Sequence, residues 1–186
     1  MTHPKRWKSL PVDQTRHYLE PGPVVLVSTA HNGERAIMTL GWHMMLGYDL
    51  VGTYIWDANR SHALARASRA CVINLPTEGL LDTVVRIGNC SSTEQDKFER
   101  FGLTALRSRE VDAPRIAECH AQFECRLHET RITADYPLFV WRVLAAHVAP
   151  SPRVPRTVHY RGEGRFMVAG HEVSRRRLFR PDMLAQ

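Results

Sequence analysis

From Ile37 to Leu46, ten consecutive residues carry no charge unless His43 is protonated, and Gly41 sits in the middle of the run. Glycine inside a strand weakens it and marks a place where a ligand or another backbone comes close. A second run, Leu50 to Trp56, is rich in β-branched and aromatic residues. The stretch therefore reads as two strands joined through Gly47, Tyr48 and Asp49.

The segment after the second run has the chemistry of an anion seat. Asp57, Asn59 and Ser61 are all helix-capping types, and Ala63 to Ser68 is good helix sequence, so a helix starts near Ser61. Its first free N–H groups, with Arg60, the Ser61 hydroxyl and His62, would suit a phosphate. The plainer alternative stands beside this one: Asn59 or Ser61 caps the helix and Arg60 is a solvated charge.

The flanking sequence sets the fold class. Pro23 to Ala30 is a short buried-type strand, and the Asn32-Gly33 turn joins it to the first apolar run, which suggests three consecutive strands in an antiparallel meander. Cys71 to Pro76 reads as another strand, Glu78 to Ile87 as an amphipathic helix ended by Gly88. A capping box in Ser92-x-x-Gln95 opens a short helix with Phe98 and Phe101, stopped by Gly102. Ile116 to Ile132 alternates as one long strand, with Gln122, Glu124, Arg126 and His128 on its exposed face, and Leu138 to Val148 is its partner. Thr157 to Gly170 reads as one more strand or hairpin, and Asp13 to Glu20 as a possible short helix. Strands with inserted helices but no βαβα alternation predict a mainly β, antiparallel barrel. The chain divides into three units: an N-terminal arm at 1–22, a barrel at 23–150, and an arginine-rich tail at 151–186 that completes the barrel or a subunit contact.

Composition narrows the function classes. The net charge is +6, but from Ser151 onward there are eight arginines against Glu163, Glu172 and Asp182, so the excess sits in the tail. No aromatic interleaving or recognition-helix pattern accompanies it, which argues against nucleic acid. The four cysteines form no C-x-x-C and the ten histidines no ligand spacing, so neither a metal site nor a disulfide framework is expected. With no apolar run of membrane length and no signal-like start, a soluble cytoplasmic protein is the expectation.

Seven pieces in order, PVVLVSTA, IMTLGWHM, VGTYIWDANRSH, CVINLP, IGNCSS through DKF, AECHAQFECRL and LFVWRVLAAHVA, together resemble the flavin reductase family of FMN-binding split barrels, which includes the flavoredoxins. The likeness spans roughly residues 20 to 165. It implies a Greek-key split β-barrel, a homodimer, FMN near the subunit interface, and NAD(P)H as hydride donor. Carried onto this chain, it implies that Thr39, Leu40, Gly41 and Trp42 lie along the isoalloxazine edge, and that Asn59, Arg60, Ser61 and His62 hold the phosphate. Asn89, Cys90, Ser91 and Ser92 match the loop beside the flavin, and His159 and Tyr160 a C-terminal position near it. Lys97 would stabilise reduced flavin at the pyrimidine end of the ring, or else be a surface charge.

The activity implied is NAD(P)H:flavin reduction, with no catalytic side chain because the flavin carries the chemistry. A monooxygenase or other acceptor of reduced flavin is the implied partner. An FMN electron-transfer protein without NAD(P)H turnover, and a non-catalytic ligand-binding barrel, remain as alternatives. The chain departs from the family pattern at Ala36, where asparagine is common, and at Ser92, where glycine is.

Overall fold

The computed structural model describes residues 7–15, 22–93, 95–129 and 136–184. The strands are β1 (Lys8–Leu10), β2 (Val25–His31), β3 (Glu34–Leu40), β4 (His43–Met45), β5 (Leu50–Tyr54), β6 (Ala70–Leu75), β7 (Ala105–Leu106), β8 (Arg115–Ile116), β9 (Ala121–Glu129), β10 (Leu138–Val148), β11 (Val158–Tyr160) and β12 (Phe166–Val168). Among the described residues, three α-helices interrupt them: α1 (Arg60–Ser68), α2 (Leu81–Gly88) and α3 (Lys97–Arg100). The main sheet is antiparallel, in the order β3-β2-β6-β9-β10-β5-β4, with β1 also paired to β10.

That order dictates the shape. β3 and β4 stand at opposite ends of the ladder, yet only Gly41 and Trp42 separate Leu40 from His43. Three Cα steps reach at most about 11 Å, whereas six strand spacings across a flat sheet measure about 29 Å. The sheet must curl until its edges nearly meet, which gives a barrel split between β3 and β4. The expected meander forms with one correction: the first apolar run is not a single strand but breaks at Gly41 and Trp42, so that its β3 part pairs with β2 and its β4 part with β5, at opposite ends of the sheet. β10 hydrogen-bonds β9 along one edge, with irregularities at Val140/Trp141 and Val143/Ala145, of the kind that add curvature to a strand.

The interior holds one large cluster that includes Val25, Val27, Ile73, Phe123, Phe139 and Trp141. A second cluster, with Val24, Leu26, Ile37, Val84, Ile87 and Phe98, covers the outer face of β2 and β3. Burial on both faces explains why PVVLV does not alternate. The polar face predicted for β9 is exposed only at Arg126 and His128, since Gln122 and Glu124 are buried beneath segment 103–116. Gln122 Nε2 donates to the Ile116 and Cys119 carbonyls, and Glu124 accepts from the Arg109 and Glu110 N–H groups. The strand also starts later than predicted, at Ala121, which leaves Cys119 outside it.

Helix boundaries match the sequence closely. The second helix divides into a 3-10 turn at Glu78–Leu80 and α2, with Val84 and Ile87 buried. Asp96, rather than Ser92, caps α3 by accepting from Phe98 N at 2.8 Å. Gly102, at φ +62°, closes α3 as a Schellman turn through Leu103 N to Phe98 O at 2.8 Å. Of the possible helix at Asp13 to Glu20, a 3-10 turn covers Val12–Thr15 and the remainder lies outside the described residues. The β11–β12 hairpin attaches to the body through Val24 N to Val158 O at 2.8 Å, while residues 170–182 lie exposed.

Candidate functional site

Where β3 crosses to β4, a cleft of about 590 Å³ opens. Met38 through Trp42 form its floor, with Tyr54 and Trp56 on one side, Val84, Val85 and Gly88 of α2 on another, and Tyr160 and Phe166 of the hairpin at the rim. A Cβ at Gly41 would meet nothing within 4 Å, so its backbone faces open space. α2 lies hard against β3: Thr39 Oγ1 donates to Val84 O at 2.6 Å, and a Cβ on Gly88 would stand 3.4 Å from Thr39 Cβ. Trp42 is 72 % and Trp56 61 % exposed, an apolar surface left uncovered within this chain.

A second, polar cavity of about 300 Å³ adjoins the cleft, sharing Met38, Asn59, Gly88 and Asn89 with it. Its walls come from the start of α1, the loop after α2, and α3. Asn59 is the N-cap of α1, and its side chain makes no capping bond. Ser61 is buried, as is Lys97, only 5 % exposed, with Nζ donating to Ile87 O at 2.9 Å. Burial pushes the Lys97 ammonium down from its ordinary pKa; the Cys90 thiol opposes this and Arg100 adds to it. Asn89 is tied to Val85 O at 2.8 Å, Ser92 to Ile37 O at 3.5 Å, and Ser91 to Thr93 at 2.7 Å. Arg60 lines the cavity while its Nε donates to Glu34 Oε1 at 2.6 Å and its Nη2 to Glu34 Oε2.

The structure thus gathers Thr39, Leu40, Gly41 and Trp42 on the apolar cleft and Arg60, Ser61, Cys90, Ser91, Ser92 and Lys97 on the polar cavity, with Asn59 and Asn89 on both. Lys97 is neither a surface charge nor part of the apolar cleft; it faces the same cavity as Ser61. His62 lines neither cavity, and its ring stands edge-on to Phe139 at 5.2 Å. Burial, with Arg66 adding, lowers the His62 pKa. Sequence reasoning missed Met38, Tyr54, Trp56, Val85, Phe166 and Glu34 as site residues. Tyr54 and Trp56 look like strand residues, and Val85 is an apolar residue off the inward stripe of α2 and exposed, which is the one signal that marks it.

The family described as "Flavin reductase like domain" matches residues 17–166 of the chain. The chain belongs to this family. Among its relatives is an uncharacterized protein of Archaeoglobus fulgidus, 34 % identical over 110 residues, which cover 58 % of this chain and 62 % of that protein. The fold is also that of an FMN-binding domain of a flavin reductases-like enzyme from Shewanella baltica, with TM-score 0.85 at 22 % identity over 93 % of this chain and 99 % of that one. Flavoredoxin of Desulfovibrio vulgaris has TM-score 0.74 at 20 % identity, covering 83 % and 90 %. Nitrilotriacetate monooxygenase component B of Mycobacterium thermoresistibile has TM-score 0.70 at 23 % identity, covering 87 % of each chain. These neighbours share the split-barrel architecture.

Proposed function

We propose that this flavin reductase-like protein binds FMN and passes hydride from NAD(P)H to it. The observation that carries the reading is the junction of an aromatic, apolar cleft with a polar cavity that holds a buried cation and a helix start. A tricyclic ring fits the first and a ribityl phosphate the second, so the residues present suit FMN. Bound there, the flavin would supply a two-electron acceptor at its ring.

The chain's own residues then align and seclude. Gly41 lets backbone approach the ring edge, while Thr39, locked by Val84 O, fixes the floor. Asn59, Ser61, Arg60 and Lys97 would hold the phosphate, and anion binding would repay part of the cost of burying the Lys97 charge. Trp42, Trp56 and Tyr160 wall the open side, where a nicotinamide would stack. Exposed Trp42, Met44, Leu46 and Tyr48 form a stripe along and beyond the unpaired edge of β4, which a second copy would cover as a homodimer. Cys71 and Cys125 are buried and held in no disulfide, which suits the reducing cytoplasm. A monooxygenase component fits as acceptor, by analogy with the component B neighbour.

The test is the visible spectrum of purified protein titrated with FMN at equilibrium, with no separation step, and an Arg60→Ala, Ser61→Ala double variant alongside. Wild type should titrate FMN, the variant should lose affinity for FMN but not for riboflavin, and NADH or NADPH should bleach the bound flavin anaerobically. Flavin that binds but resists both nicotinamides would leave an electron-transfer protein; a protein that takes up no flavin would sink the reading.

A further inference from the structure

The guanidinium best placed to receive a phosphate in the polar cavity already holds a protein anion. Arg60 presents its side edge, Nε and Nη2, to both oxygens of Glu34. Glu34 opens β3 directly after the Asn32-Gly33 turn, whose two residues sit at φ +49° and +82°, so a tight hairpin presents its carboxylate. The hydrogen bond from Arg60 outweighs desolvation and holds the Glu34 carboxyl below its ordinary pKa, so it is ionised at neutral pH. Among the described residues that line the cavity, the other cation is Lys97, which is desolvated and spends one N–H on Ile87 O. A phosphate dianion entering here would meet one net positive charge rather than two, with a carboxylate directly behind the guanidinium. The end edge of Arg60, Nη1 with the second Nη2 hydrogen, is not engaged by Glu34 and stays available to a ligand. Glu34 therefore governs how strongly an anion is held, not whether one fits.

We propose that Glu34 weakens phosphate binding at Arg60 and so keeps FMN exchangeable, a flavin turned over as a substrate rather than retained. The inference rests on the FMN reading above.

The test compares wild type, Glu34→Gln and Glu34→Ala by fluorescence titration with FMN and with riboflavin, each protein first shown to keep its melting temperature within a few degrees. Wild type should lose FMN on gel filtration. Both variants should bind FMN about fivefold or more tightly, with riboflavin affinity unchanged. The gain should shrink as salt rises from low to physiological strength. FMN affinity that is unchanged or weaker in both variants overturns the proposal, because Glu34 would then be inert or a brace that orients Arg60. Wild type that retains FMN through gel filtration overturns it too. Equal wild-type affinity for FMN and riboflavin would instead show that the polar cavity is not the phosphate seat, and no flavin binding at all would remove the FMN reading itself; either result takes the proposal down with it.

Discussion

Replacing Glu124 with glutamine should cost this fold far more than a one-atom change suggests. Glu124 is fully buried, and its carboxylate accepts from Arg109 N at 2.9 Å and from Glu110 N at 2.6 Å. His147 Nε2 lies 2.8 Å away and must carry a proton there, since a carboxylate only accepts, and Arg115 Nε stands at 3.7 Å. In the glutamine variant one oxygen becomes an NH2 group that faces donors, whichever way the amide turns. Losing charge-assisted bonds at a buried site costs about 3 kcal/mol, or a fall in melting temperature of roughly 6–12 °C for a domain of this size. The pH dependence adds a second signature. Burial raises the Glu124 pKa, but hydrogen bonds from His147 and from the Glu110 and Arg109 N–H groups outweigh it, and the net shift is downward. A carboxyl with a depressed folded pKa contributes stability that is present above its unfolded value, near 4.5, and is lost as pH falls through the folded value. The gap between wild type and variant should hold at pH 7 and narrow below about pH 4.5. Urea denaturation of both proteins at pH 7 and at pH 4 measures it. A difference under about 1 kcal/mol at pH 7, or one that does not shrink in acid, would refute the reasoning.

Three further outcomes are expected. Trp141→Phe removes the Nε1 donation to buried Thr53 Oγ1 at 2.7 Å and should cost about 2–3 kcal/mol in urea melts, with less than additive loss when combined with Thr53→Val. Gly102→Ala should cost about 1 kcal/mol by thermal melting; a Cβ there would touch nothing within 4 Å, so the cost is that of φ +62° alone. Gly88→Val would press on Thr39 Cβ at the junction of cleft and cavity and should weaken FMN affinity about tenfold while leaving far-ultraviolet circular dichroism unchanged.

Signals in the chain are legible where the interaction that sets them is local. The Asn32-Gly33 turn, the stop at Gly102 and the start of α1 within a residue of Ser61 depend on neighbours a few positions away. Glycine in the apolar run marks where β3 ends and the cleft opens, as an uncharged stretch with a gap in its side chains suggests. The cap of α3 escapes such reading because Ser92 and Asp96 are equally good cap residues, and only the path of the preceding loop, where Ser92 turns to Ile37 O, decides between them.

Period, turn and cap are properties of adjacent residues, and so the order of amino acids marks the longer strands, the helices and their mainly antiparallel class, while the short strands β1, β7 and β8 carry no such signal. Which strands pair is another matter, and with it the bridging of opposite edges of a curled sheet by two residues; only the folded chain settles that. Folding also buries Gln122 and Glu124 under a segment that begins some twenty positions earlier, turns His62 toward Phe139, and sets Glu34 against Arg60 across 26 positions. Each of these depends on contacts between residues far apart in the chain, and alternation along one strand carries no information about what will cover its second face.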